Sequence, residues 1–428
     1  MNQTLFVEFV KKWFGTLAGL LNETINDSKK PLPYFFKTML RPELSPDLKW
    51  NSRSINSSVV AADVVAMDSP LPLKKRDSID TASGTIPKLG MKMDKSEKLL
   101  TDIRILRARG VSEDQIVNKI FEDMPRVVNG IHERLEYMFL KALSTGIMLV
   151  PNEENVGTGI RVDFGYKDKN KFGVSKKWGT DGYAPLTDIA NVVARANEEG
   201  DIITTIALDL ASYNAIRKSE EAKALYAASI GNFTGNAQSI PTPSIFDALV
   251  ADEHKLKFTV IDRSIRIEKD GKQKPVKPFA ENTLVFLTSD QVGTLVYGIL
   301  AEEDTPVAGV EYQKVDTFIL VSKYSKNDPL REFTSSQALV LPVIENVSSI
   351  YLMNTQEAQE VDPGEIEGDA DITIYEQTLV KADVITALKA IGVKAPVNIS
   401  DAKLIEKINS LNDEEEAALK AALEITEE

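Results

Sequence analysis

The chain has 428 residues, 43% of them apolar, and a formal net charge of −14, enough for two or three compact units and not the composition of a disordered protein. It contains no cysteine, which excludes disulfides, thiolate chemistry and Cys-ligated zinc together. No apolar run approaches the roughly 20 residues that a membrane-spanning helix needs.

At the start of the chain, Leu5, Phe6, Phe9, Val10, Trp13, Phe14, Leu17, Leu20 and Leu21 fall in helical register, interrupted by Glu8, Lys11 and Lys12. The interruption argues against a signal peptide. Three readings compete for this helix: a segment lying on a membrane, a core helix, or an arm docked on a neighbouring molecule. A membrane-surface helix carries a rich Lys/Arg face, and here there are only Lys11 and Lys12, so the arm is favoured. The following SKKPLPYFFKTMLRPELSPDLKW holds Pro31, Pro33, Pro42 and Pro46, which leaves few regular hydrogen bonds. Its aromatics Tyr34, Phe35, Phe36 and Trp50 need burial.

Val59 to Met67 and Ile86 to Met93 read as extended, the second with Ile86, Leu89, Met91 and Met93 set among Lys88 and Lys92. Between them DSPLPLKKRDSIDTASGT carries two prolines and the cluster Lys74, Lys75 and Arg76. A lone two-stranded hairpin buries too little apolar surface to offset the entropy of ordering it, so this arm is expected to rest on another molecule. The tip lysines also have a plainer role, in keeping an exposed hairpin soluble and unpaired.

Ser112 and Gln115 form a capping-box pattern that opens a helix with Ile116, Val117 and Ile120 on one side. Pro125 restarts it, since a first-turn proline lacks only an N–H that would be unpaired anyway, and Asp123 or Met124 caps a second helix running to about Thr145. Val128, Ile131, Leu135, Met138, Phe139 and Ala142 recur at spacings of three and four, the mark of one buried face. Gly146 sits where a left-handed residue would end the helix.

Further on, Ile202 to Asp209 reads as a buried strand and LASYNAIRKSEEAKALYAAS as helix. Phe258 to Glu268 alternates like a strand and leads into Asp270-Gly271, which suits a two-residue hairpin turn, although Pro275 and Pro278 weaken the returning strand. Thr283 to Thr288, Thr317 to Tyr324 and Ala338 to Ile344 are further strand candidates. A mixed sheet with helices follows.

The acidity is concentrated at the end. Residues 356–428 hold eighteen acids against six lysines and no arginine, leaving 46 acids and 44 bases for residues 1–355. QEAQEVDPGEIEGDAD, with seven acids and no base, reads as a solvated linker. Beyond it, helices are expected over Leu379–Ile391 closed by Gly392, over Asp401–Leu411 capped by Ser400, and over Asp413–Ile425. Val384, Ile385, Leu388, Ile391, Leu404, Ile405, Ile408, Leu411, Leu419 and Leu423 would give them one core. The unit has helix-turn-helix texture, but phosphate binding draws on Lys and Arg, and its charge is negative. A peripheral decoration or a partner-binding knob is the preferred reading.

Little else points to chemistry. His132 and His254 are far apart in sequence, and His132 reads as a packed or solvent-edge histidine beside the helix stripe. Gly157-Thr158-Gly159 lacks the third glycine and preceding strand of a dinucleotide fingerprint. Asp369 and Asp371 lack the glycine and distal glutamate of a calcium loop.

The succession VVAMDSPLPLKKR, SGTIPKLGMKM, VVNGIHERLEYMFLKALSTG and, much later, DPLREFTSSQALVLPVI resembles the major capsid proteins of tailed bacteriophages with the HK97 fold, over roughly residues 30 to 355. The resemblance implies an α+β, HK97-like capsid fold with a small C-terminal helical domain. Its parts would be an N-terminal arm (1–56), an extended E-loop (57–100), a P-domain with a long spine helix (101–184 and 316–355), an A-domain (185–315), an acidic linker (356–372) and the helical domain (373–428). It implies a non-enzymatic shell subunit that encloses the double-stranded DNA of a tailed phage, with no cofactor and no metal. The partner would be the chain itself, in pentamers and hexamers, with portal, scaffold and auxiliary or decoration proteins as further partners. DNA would be enclosed without sequence-specific binding, no membrane would be involved, and the protein would reside in the virion after assembly in the host cytoplasm. Trp13, Phe14, Lys74, Lys75 and Arg76 are the candidate intersubunit contacts. An encapsulin-like nanocompartment shares the fold and is the alternative; an enzyme with an accessory tail would need a pocket of converging ionisable groups.

Overall fold

The computed structural model describes residues 3–27, 34–55, 79–150, 160–230, 239–269 and 272–358, and further on 371–374, 377–380 and isolated positions. The chain divides into two compact units, Met1–Ala358 and Gln359–Glu428.

In the first unit, helix α1 (Val7–Ile25) leads to the short α2 (Phe35–Met39). After a strand segment come α3 (Glu97–Ala108), α4 (Glu113–Phe121) and the long α5 (Met124–Thr145). Helix α5 begins and ends as its sequence dictates. Asp123 stands at the N-cap position, although its side chain makes no capping hydrogen bond, Pro125 lies in the first turn, and Gly146 has φ +71° with its N–H on the Ala142 carbonyl at 2.7 Å. A side chain at Gly146 would be strained by that φ and would stand 2.7 Å from Tyr166 Cγ. The predicted stripe is buried throughout: Val128, Ile131, Leu135, Met138, Phe139 and Ala142 are at most 2% exposed. Each large side chain so buried contributes roughly 1.5–3 kcal/mol, which fixes α5 as the organising element. Ser112 does precede α4, but its side chain makes no capping hydrogen bond.

Helix α5 packs on a six-stranded sheet ordered Leu40–Leu44, Gly293–Gly298, Arg331–Ile344, Ile319–Lys326, Glu311–Val315, with Lys88–Ser96 also paired to Arg331–Ile344. Leu40–Leu44 runs parallel to its neighbour at the sheet's edge and contains Pro42. At the other side α1 packs on Glu311–Val315. The strand Lys88–Ser96 approaches α5 so closely that a Cβ at Gly130 would collide with Met91 Sδ.

The second sheet runs Lys171–Val174, Tyr351–Ala358, Thr283–Leu287, Thr205–Leu208, Lys257–Val260. It shares a separate core with helices that include Pro185–Glu198, Leu210–Lys218 and Pro243–His254, in which Ile206, Leu208, Phe246 and Phe286 are all fully buried.

Several boundaries differ from expectation. Gly293–Gly298 and Glu311–Val315, expected in the A-domain, belong to the sheet under α5, while Lys171–Val174, expected in the P-domain, and Tyr351–Ala358, expected to run from the P-domain into the linker, complete the second sheet. Apolar content marks a strand as buried without saying in which sheet. The stretch Ile86–Met93, expected as one side of the extended arm, lies in the body because Ile86 and Leu89 are buried there. The arm that does form is a two-stranded ribbon, Lys49–Ile55 with Ile79–Thr85. The predicted strand Val59–Met67 lies outside the described residues. Phe258–Glu268 is two strands in different sheets, and its second half, Ile265–Lys269, pairs with Lys272–Val276 across a two-residue connection.

In the unit Gln359–Glu428, Asp371–Ile374 and Gln377–Val380 form a hairpin, so the expected linker and the expected helix start at Leu379 are partly extended. Ile372, Ile374, Thr378 and Val380 are β-branched, which favours strands. Val384, Leu388, Ile408 and Leu419 are helical and at most 3% exposed.

Candidate functional site

Two buried polar joints tie the N-terminal segments to the body. Helix α1 is amphipathic, with Val10, Phe14, Ala18 and Ile25 buried against its own chain. Phe14 is 2% exposed and stacks on Phe121 at 5.9 Å between ring centres, so it is satisfied inside its own chain. Trp13 is half-buried; its Nε1 donates to Glu113 Oε1 at 2.9 Å, which also receives Lys12 Nζ at 2.7 Å. Hydrogen bonds from Lys12 and Trp13 hold the Glu113 carboxyl below its ordinary range.

Just ahead of α1, Thr4 Oγ1 and the Leu5 N–H both donate to the buried Glu332 carboxylate. Glu332 faces Lys323 at 3.8 Å, and the two side chains are 0% and 1% exposed. Burial pushes Lys323 down to about 8. Close by, buried Lys95 bridges Glu122 at 2.8 Å and Asp123 at 2.7 Å. Removing one member of such a pair strands the other charge in the core, which costs about 3–5 kcal/mol.

The second joint is on α5. His132, Glu133 and Glu136 are spaced to share a helix face and grip the segment after Pro33. Glu136 accepts from the Phe35 N–H at 3.0 Å and the Phe36 N–H at 3.1 Å, and Glu133 accepts from Tyr34 Oη at 3.0 Å. Arg263 Nη2 donates to Glu133 at 2.8 Å, and its guanidinium lies 4.5 Å over the Tyr34 ring. His132 is fully buried with Nε2 2.8 Å from Asp316 Oδ2, and Lys37 Nζ reaches the same oxygen at 2.5 Å. Burial pushes Glu136 up to about 7 and lowers His132. Burial would raise Asp316 as well, but hydrogen bonds from His132 and Lys37 hold it at about 2. His132 is thus the packed residue expected, yet it is one part of a joint whose other members the sequence did not single out. The available signal was Glu136 itself, a carboxylate set between Leu135 and Phe139 in an apolar stripe.

The ribbon Lys49–Ile55/Ile79–Thr85 is rooted by Trp50, 5% exposed, and by Ser52 Oγ donating to the Ile344 carbonyl at 2.5 Å. A polar groove of about 540 Å³ lies beside this root, lined by Arg41, Glu43, Lys49, Trp50 and Glu345 among others. Lys74, Lys75, Arg76 and Gly157-Thr158-Gly159 lie outside the described residues. Among the described residues no group of three or more His, Cys, Asp or Glu could hold a metal ion, and no helix is long and apolar enough to cross a membrane.

The described chain is thus organised around a long helix laid on a sheet, separate two-stranded ribbons and two buried polar joints. Residues 20–353 match the family described as phage major capsid protein E, and the chain belongs to that family. Its role is accordingly that of a major capsid protein, a structural component of the phage head. Among solved structures, the capsid protein assigned to a prophage of E. coli CFT073 is 15% identical, with a TM-score of 0.46 over 79% of this chain and 98% of that one. The capsid of cyanophage A-1(L) is 11% identical, with a TM-score of 0.44 over 78% and 95%, and that of the Myoviridae phage XM1 is 10% identical, with 0.39 over 77% and 94%. No curated protein matches the chain.

Proposed function

We propose that copies of this chain close into the icosahedral head shell of a tailed phage and enclose its double-stranded DNA. The observation that carries this reading is the family match over 20–353. Its physical support is the ribbon Lys49–Ile55/Ile79–Thr85, which joins no other strand among the described residues. Such a ribbon gains stability by lying on a second molecule. The segment between its strands carries Lys74, Lys75 and Arg76, whose charges would meet carboxylates of a neighbouring copy. Trp13, half-buried on α1, is offered to a neighbour in the same way, and Phe14 acts one step back by holding α1 in place.

On this reading the copies form pentamers and hexamers, and portal, scaffold and auxiliary head proteins are the further partners. The subunit works by assembly and turns over no substrate. It enters the virion after assembly in the host cytoplasm. Residues 1–355 carry nearly balanced charge, 46 acids to 44 bases, which suits a container that holds DNA without gripping it.

The test is to produce the full chain alone and examine it by negative-stain electron microscopy and light scattering. Closed shells, tubes or rings of five or six subunits support the reading, and shell diameter separates a phage head from a small compartment. A monodisperse monomer or dimer that stays unassembled with a scaffold or crowding agent overturns it.

A further inference from the structure

The hairpin Ile265–Lys269/Lys272–Val276 is a two-stranded sheet paired to no other strand among the described residues. Cross-strand partners share a face of the pleat. The register sets Ile265 opposite Val276, Ile267 opposite Lys274, and Lys269 opposite Lys272, all on one face. Ile265 at the base is 2% exposed, Ile267 and Val276 are half-buried, and Lys272 and Lys274 are exposed. The face therefore grades from apolar to basic. Two exposed lysines on one face, Lys272 and Lys274, repel each other and favour an anion laid against them.

Glu268 does not lie against these lysines. Glu268 lies at a position of the opposite face, where Gln273 Nε2 donates to it at 3.5 Å. Lys277 reaches back to Asp262 at 3.7 Å. Neither Lys272 nor Lys274 is ion-paired with a described residue. Residues 265–277 hold five bases and two acids in a chain whose net charge is −14.

The sequence also holds the complement. QEAQEVDPGEIEGDAD, residues 356–371, has seven acids and no base, with Val361 and Ile366 set among them. We propose that the lysine face of the hairpin 265–276 docks the acidic segment 356–371 of a second copy of this chain. Resting on the reading that copies assemble, this names one contact by which they do so. Carboxylates would lie against Lys272 and Lys274, and Val361 or Ile366 against Ile267 and Val276. Duplex DNA is the rival occupant, but its phosphates offer nothing to the two apolar side chains, and the basic end is made of lysines and not of the forked arginines that favour phosphate. In a shell every copy would supply one hairpin and one segment, so the contact repeats with each subunit.

The test uses particles assembled from an equal mixture of ¹⁴N- and ¹⁵N-labelled full chains, treated with a zero-length carbodiimide crosslinker and read by mass spectrometry. Mixed-isotope peptides joining Lys272 or Lys274 to a carboxylate of 356–371 are expected. K272E/K274E, which removes the crosslinking amines, is read instead by hydrogen exchange: it should lower protection of the hairpin in the particle by about tenfold, and adding E365K/E367K to the same chain should restore that protection. Particles whose crosslinks at these lysines are absent, or join only chains of one isotope, overturn the proposal. So does hairpin protection that disappears on nuclease treatment, which would assign the face to DNA. The wild-type map decides the matter even where a variant fails to fold. Failure to form any particle would instead defeat the shell reading itself, and the contact with it.

Discussion

Glutamine in place of Glu136 (E136Q) tests the joint that holds the segment after Pro33 to the long helix. The substitution keeps an oxygen to accept from the Phe35 and Phe36 N–H groups and removes the ionisable proton. Burial raises the Glu136 carboxyl from 4.5 to about 7. Its folded value therefore lies above its unfolded one, and between the two the folded state binds a proton that the unfolded state has lost. Stability from this group is fully present below pH 4.5 and is lost as the pH rises through 7. With 1.36 kcal/mol per unit of pKa difference, the loss between pH 5 and pH 8 is roughly 2.5 kcal/mol. The neighbours that face Glu136 (Tyr34, His132, Glu133, Arg263 and, through His132, Asp316 and Lys37) are present in both proteins, so their titrations largely cancel in the difference. Urea unfolding of the dissociated chain should show E136Q gaining about 2.5 kcal/mol on the wild type from pH 5 to pH 8. A difference that stays within about 0.5 kcal/mol over that range would refute the reasoning.

Phe14→Ala should cost about 3–5 kcal/mol by opening a cavity against Phe121, and trypsin should then cut at Lys11 and Lys12 well before the body is attacked. Lys323→Met should cost about 3–5 kcal/mol because Glu332 is left as a lone buried charge, whereas K323M/E332L should recover most of that loss; equal urea midpoints for the single and double variants would count against the pair. Gly146→Ala combines a left-handed backbone with contact on Tyr166, and should lower stability by about 2 kcal/mol or more, again read from the urea midpoint. A chain ending at Ala358 should keep the unfolding midpoint of the first unit, since the remaining residues form their own compact unit.

The long helix was legible because several local signals agreed: a proline in its first turn, a stripe at spacings of three and four, and a glycine just past its end. The strand Arg331–Ile344 was legible only from Ala338 onward. Its first half carries Thr334, Ser335 and Ser336, which look exposed in sequence but are buried and bonded, Ser335 to Ser322 at 2.7 Å and Ser336 to the Val127 carbonyl at 2.6 Å. Phe258–Glu268 alternates only in two stretches that are out of phase, Phe258–Val260 and Ile265–Glu268; between them Ile261 follows Val260 and is itself followed by three polar residues, and that break is where the chain leaves one sheet for a separate ribbon. The joints were harder still. Glu136 meets Phe36 and Lys323 meets Glu332 by contacts spanning 100 residues in the first case and an interstrand register in the second. The family resemblance, by contrast, rested on the order of segments along the chain, which is why it survived errors in where those segments begin and end.

Pro42 sits in the edge strand Leu40–Leu44, where it withholds an N–H from any strand that would add alongside. Growth by lamination, one copy's sheet continuing into the next, has no natural stopping point and ends in fibres. With that edge blunted, the proposed assembly would run through ribbons instead of a continued sheet, and such links would set a spacing and an angle between neighbours. Those are the quantities that decide whether a lattice of identical parts curves back and closes.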